Sequence, residues 1–152
     1  MAIYYLDSSA IVKRYVIETG SVWIRDLCQN SSHAVFISEL ALPEVGSAFA
    51  RRYRRGEITD EQRHEFLDTF VSDCEDGYHL IPVERSTIER SLELTQQHVL
   101  RAYDAVQLAC ALAANNVLAV AGLPSLTFVS ADDGLLDAAL SEQFQAENPN
   151  HH

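Results

Sequence analysis

A chain of 152 residues, 47% of them apolar, with a formal charge of −11, has the material for one globular domain with a real core. Its few scattered glycines and prolines, without repeat, low-complexity tract or linker, exclude a second independent domain; residues 1–148 read as one domain and 149–152 as a short tail whose His151-His152 is tag-like and is set aside. The acidic balance argues against a general polyanion binder, yet the positive residues are concentrated: four of the ten arginines form Arg51-Arg52-Tyr53-Arg54-Arg55, and Lys13 is the one lysine.

In chain order, Ile3-Tyr-Tyr-Leu6 reads as a buried strand ending at Asp7, and residues 10–18 as the helix after it. Gly20 and Ser21 open a second helix through Asn30, and residues 34–37 form a second strand. Ser38 is expected to cap a long helix to Gly56, with Pro43 in its first turn or at a local kink. Thr59-Asp-Glu-Gln62 has the form of a capping box and starts a helix through Glu75 whose apolar face is Phe66, Leu67, Phe70 and Val71. Residues 78–83 are a third strand; Ser86 caps a helix to about His98; another helix runs from Ala102 to the Asn115-Asn116 pair; residues 126–129 are a fourth strand, and a last helix follows Asp132. Apolar strands alternating with helices imply an α/β fold, a three-layer α/β/α sandwich with a central, mainly parallel sheet.

Several function classes drop out. The segment before Asp7 lacks a basic stretch followed by a long apolar one, so no secretory signal is expected and the protein is placed in the cytoplasm. Residues 105–129 are interrupted by Gln107, Asn115, Asn116, Gly122 and Pro124, which suits a buried helix and strand and not a membrane span. Cys28, Cys74 and Cys110 are far apart and read as core filling, not as a disulfide frame or zinc site. His33, His64, His79 and His98 have no evident nucleophile beside them.

The acids are more informative. In parallel sheets ligands bind beyond the carboxyl ends of the strands. Asp7 follows the first strand at once, Asp132 follows the fourth after Ser130-Ala131, Glu44 enters the helix after the second, and Asp104 opens a helix. Singly, Glu44 and Asp104 also read as helix-cap acids. Jointly, four carboxylates on one rim must take up protons or bind cations. Mg²⁺ or Mn²⁺ uses such oxygens together with water and phosphate, and supports in-line phosphoryl displacement.

Four segments carry a family resemblance: Tyr5-Leu-Asp7-Ser-Ser-Ala-Ile-Val-Lys13, Ile37-Ser-Glu-Leu-Ala-Leu-Pro-Glu44-Val, Leu100-Arg-Ala-Tyr-Asp104-Ala-Val-Gln-Leu-Ala109 and Phe128-Val-Ser-Ala-Asp132-Asp-Gly-Leu-Leu136. Together they resemble the PIN-domain nucleases, especially the VapC-type toxins of prokaryotic toxin-antitoxin pairs, over almost the whole chain. The resemblance implies that Asp7, Glu44, Asp104 and Asp132 hold Mg²⁺ or Mn²⁺, that the domain cleaves RNA, and that it pairs with itself as a homodimer and with an antitoxin. Ser9 and Ser130 match hydroxyl positions that support the acids. Pro43 departs from the small or apolar residue usual before Glu44, and Asp133 is an alternative to Asp132, although the Ser-x-Asp spacing favours Asp132. Arg51, Arg52, Arg54 and Arg55 are expected to meet the RNA backbone, the alternative being an ordinary solvated helix end.

Two rivals stay beside this reading. A receiver-type phosphoacceptor domain needs a lysine late in the chain, where there is none. A non-catalytic RNA- or partner-binding protein of the same fold would ordinarily have lost an acid, and all four are present.

Overall fold

The computed structural model describes residues 1–152. Five strands, β1 (Ala2–Leu6), β2 (His33–Ser38), β3 (His79–Ile81), β4 (Thr127–Val129) and β5 (Gln145–Glu147), form one sheet in the order β3-β2-β1-β4-β5. All four pairings are parallel, with Tyr4 registered against Val35 on one side and Thr127 on the other. The helices are α1 (Ser8–Tyr15), α2 (Ser21–Gln29), α3 (Ala41–Arg54), α4 (Asp60–Asp76), α5 (Arg85–Gln97), α6 (Ala102–Val120) and α7 (Asp133–Ser141).

Alternation along the strands divides the interior in two. Ile3 and Tyr5 of β1 and Phe128 of β4 pack against Leu94 of α5, the Ala105–Leu118 face of α6 and Leu135 of α7. Leu6, Val35, Ile37 and Val129 point the other way, onto Ile11 of α1, Ile24 of α2, Val45 and Phe49 of α3 and Phe70 of α4. The result is the expected three-layer sandwich, with every buried side-chain nitrogen and oxygen hydrogen-bonded. Helix α6 has the length and composition of a membrane span, but it spends its apolar face on this core.

The chain leaves β1 toward β2 and β3, then returns to lay β4 and β5 on the opposite side of β1. The reversal lies between β1 and β4, where the crossovers part and leave a crevice at the carboxyl ends of the strands. Asp7 and Ser130 stand at those two ends.

Several local expectations change. Ser38 ends β2; its hydroxyl accepts from Leu40 N (3.1 Å), and α3 starts three residues later, at Ala41, with Leu40 as N-cap. Pro43 sits in the first turn of α3, where its missing N–H costs no helical bond. Glu84, not Ser86, precedes α5. The Thr59/Gln62 capping box forms, and Phe66, Leu67 and Phe70 pack on the core as expected, but Val71 is exposed and Cys74 takes its place. Asn115-Asn116 does not stop α6, since the Asn115 side chain finds another use, accepting from Leu126 N (3.1 Å) at the entry to β4. A fifth strand, Gln-Ala-Glu, was not expected: it is short, polar and at the sheet edge, so it has no apolar run to betray it.

The closing residues pack onto α2. Pro149–His151 forms a single 3-10 turn, and the His152 ring stacks on Trp23 at 4.2 Å. Gly20 has φ +86°, and a Cβ there would lie 2.4 Å from the Pro149 carbonyl oxygen, so both conformation and space require glycine.

Candidate active site

Asp7 is the innermost acid, only 4% exposed. It is the N-cap of α1: Oδ1 accepts from Ala10 N (3.0 Å) and from the Ser9 hydroxyl (2.7 Å), while Oδ2 accepts from the Ser130 hydroxyl (2.8 Å). Ser130 Oγ in turn accepts from Asp132 N (3.0 Å), and Ser9 Oγ accepts from Ala131 N (2.9 Å). The two serines thus knit the loop after β4 to the start of α1. Burial nevertheless dominates, and despite these hydrogen bonds the Asp7 carboxyl is pushed up to about 6, with the charge of Asp104 adding to the rise.

The other three predicted acids line the same cleft, an open volume of about 1060 Å³. Glu44 projects from the first turn of α3, Asp104 from the first turn of α6, and Asp132 caps α7 while accepting from Leu135 N (3.0 Å). Burial raises the Glu44 carboxyl, and Asp104 raises it further; the Asp104 carboxyl is raised by burial and by Asp132, against the pull of Arg101. Asp133 lies outside the lining, accepting from the Asn148 amide at 2.9 Å, so Asp132 is the acid that faces the cleft.

The same cleft also carries positive charge, together with Glu18 and Glu57. Lys13, Arg51, Arg52 and Arg55 line it; Arg54 does not. Arg52 is committed to Glu18 at 2.8 Å and Glu57 at 3.5 Å, and buried Lys13 to Glu18 and the Thr19 carbonyl. Arg51 and Arg55 have no carboxylate within ion-pair distance, which leaves them the freest of the three arginines of the run that face the cleft. Acidic and basic side chains in one groove match the needs of a phosphodiester held for attack at an acidic centre.

The architecture recurs among solved structures. Over 96% of this chain and 98% of its own, VapBC2 from Rickettsia felis, solved with a promoter DNA fragment, superposes at TM-score 0.62 and 18% identity. Mycobacterium tuberculosis VapC20, a toxin that cleaves the sarcin-ricin loop, gives 0.56 and 15% over 84% of this chain and 87% of its own. At these identities the likeness concerns the fold. No family model matches the chain. Closer in sequence are the ribonucleases VapC45 and VapC49 of M. tuberculosis, each 37% identical over 116 residues, 74% of this chain and 77% of theirs. The chain belongs to the VapC ribonucleases.

In this VapC domain the donor set suits a hard divalent cation: four carboxylates and neither thiolate nor imidazole, with the Asp7, Glu44 and Asp104 carboxyls raised chiefly by burial. No three of these acids lie close enough together to form a metal-holding group by themselves. Between two of them lies Arg101, whose Nε is 3.4 Å from Asp104 and whose guanidinium reaches within 3.6 Å of Asp132; its side chain is 83% exposed and free to leave. Arg101 escaped the sequence reading, although its place three residues before Asp104, one helical turn away, was a usable signal. Gln107, read only as an interruption in an apolar run, is buried against Glu44.

Proposed function

We propose that this VapC ribonuclease is a Mg²⁺- or Mn²⁺-dependent endoribonuclease whose centre is Asp7, Glu44, Asp104 and Asp132. One observation carries the reading: a buried Asp7 carboxyl, raised to about 6 and surrounded by hydroxyl donors, opens into the same cleft as three further acids and several arginines. A divalent cation held by these four would supply a Lewis acid for the scissile phosphate and lower the pKa of an attacking water. Ser9 and Ser130 fix Asp7, and Ser130 also accepts from the backbone N–H of Asp132 itself, so both acids keep their orientation without a bound partner. Arg51 and Arg55 bind backbone phosphates on either side of the cut and set the strand in the groove. Arg101 neutralises Asp104 and Asp132 in the resting protein and swings out toward the RNA when the acids are needed.

The proposal extends to biology. Relatives of this fold are toxin-antitoxin proteins, which supports a cytoplasmic toxin restrained by a small antitoxin protein whose basic side chain enters the acidic end of the cleft. Self-association is supported by exposed Val117 and Val120 at the end of α6. The test is direct. Purified protein freed of partners is incubated with total RNA, with Mg²⁺ or Mn²⁺ and with EDTA, and new ends are mapped. Cleavage that needs the metal and disappears in Asp7→Asn is expected; metal-independent cleavage, or none by a folded protein that binds RNA, returns the chain to a different mechanism or to the binding-only reading.

A further inference from the structure

We propose that Gln107 is the positioning residue that holds the Glu44 carboxylate in the active site, acting through Glu44 without touching substrate; the inference rests on the metal-centre reading above. Gln107 is 1% exposed and sits on the core face of α6 between alanines, leucines and a cysteine. An amide there is costly unless each of its polar atoms is paired, and a leucine would fill the space without that demand.

Each polar atom is paired, and on a different element. Oε1 accepts the phenolic hydrogen of Tyr5 from β1. Nε2 donates to the Ser8 hydroxyl of α1 (3.1 Å) and to Glu44 Oε1 of α3 (3.1 Å). The Glu44 carboxylate decides which way the amide points, because the flipped amide would set carbonyl against carboxylate oxygen. Tyr5 locks that choice: fully buried and stacked on Phe128 at 5.3 Å, it donates through its hydroxyl to Oε1. Glutamate has one more torsion than the three aspartates, two of which are already pinned as helix caps. Glu44 is the acid whose aim most needs an outside restraint, and Gln107 supplies it from the core.

The readout is Mn²⁺ binding by calorimetry or by the EPR signal of free Mn²⁺, with kcat and KM for RNA alongside. Gln107→Leu is expected to weaken Mn²⁺ binding about tenfold or more, the usual cost of losing a residue that orients a metal ligand, and to lower kcat with little change in KM. Tyr5→Phe keeps the stacked ring, frees the amide to turn, and should move both readouts the same way by less. The deciding measurement is the cycle with Glu44→Gln. If Gln107 acts through Glu44, Gln107→Leu adds no further loss of Mn²⁺ affinity in the Glu44→Gln background. Equal losses in both backgrounds, or wild-type affinity in a cooperatively melting Gln107→Leu protein, overturn the proposal and leave Gln107 a packing residue; should that variant fail to fold, wild-type affinity in Tyr5→Phe overturns it instead. Asp7→Asn separates the two layers. Wild-type Mn²⁺ binding there would sink the metal centre itself, whereas loss there with no effect at Gln107 sinks only the role of Gln107.

Discussion

Replacing Asp7 by Asn removes a charge that the fold holds at a cost. The carboxyl rises from 3.8 to about 6 on folding, roughly two units at 1.36 kcal/mol each, so the ionised form destabilises the metal-free protein by about 3 kcal/mol at most. Because the folded pKa is the higher one, the folded state binds the extra proton; stability is full below about 3.8, falls as pH rises to about 6, and stays reduced at pH 7. Asparagine keeps the hydrogen bonds from Ala10 N and Ser9 to its oxygen, and its amide can donate to Ser130 Oγ once that hydroxyl turns. Asp7→Asn should therefore be more stable by about 1–3 kcal/mol at pH 7 in EDTA, or about 2–12 °C in Tm for a domain of this size, and the gap should close near pH 4. Thermal and urea unfolding at both pH values measure it. Added Mn²⁺ should stabilise wild type and not the variant, narrowing the difference. Equal or lower stability of Asp7→Asn at pH 7, or a gap that persists at pH 4, would refute the assignment of Asp7 as a strained, desolvated carboxylate.

Three further outcomes are expected. Changing Arg51 and Arg55 together to Gln should weaken RNA binding and reduce the slope of log affinity against log salt by about one to two, whereas Arg54→Gln, outside the cleft, should leave the slope near wild type; fluorescence anisotropy across a salt series reads both. Arg101→Gln should raise Mn²⁺ affinity by about fivefold or less, since an ion pair on so exposed a side chain is worth no more than about 1 kcal/mol, while unchanged affinity would show that Arg101 does not compete with the ion. Asp132→Asn should abolish cleavage and Asp133→Asn should not, as Asp133 is turned to Asn148; the reverse ranking in a cleavage assay would exchange their roles.

What the sequence determined by itself was whatever local chemistry and periodicity dictate. Apolar strands of β-branched and aromatic residues, the Thr59/Gln62 capping box, and acids placed directly after strands are properties of a few consecutive residues, and they carried the α/β class, the parallel sheet, and Asp7, Glu44, Asp104 and Asp132 as candidates around one cleft. Where a residue's role depends on a partner far along the chain, the pattern was silent or misleading. Ser38 looks like a helix cap but ends a strand; Asn115 looks like a helix stop but secures β4; the edge strand Gln145–Glu147 has no apolar signal because only its pairing with β4 makes it a strand. The same holds at the site. Only the tertiary structure turned Asp133 to Asn148, tied Arg52 to Glu18, laid Arg101 across two acids, and brought Gln107 of α6 against Glu44 of α3, 63 positions away, because hydrogen bonds and burial act between neighbours in space and leave no mark on the spacing of neighbours in sequence.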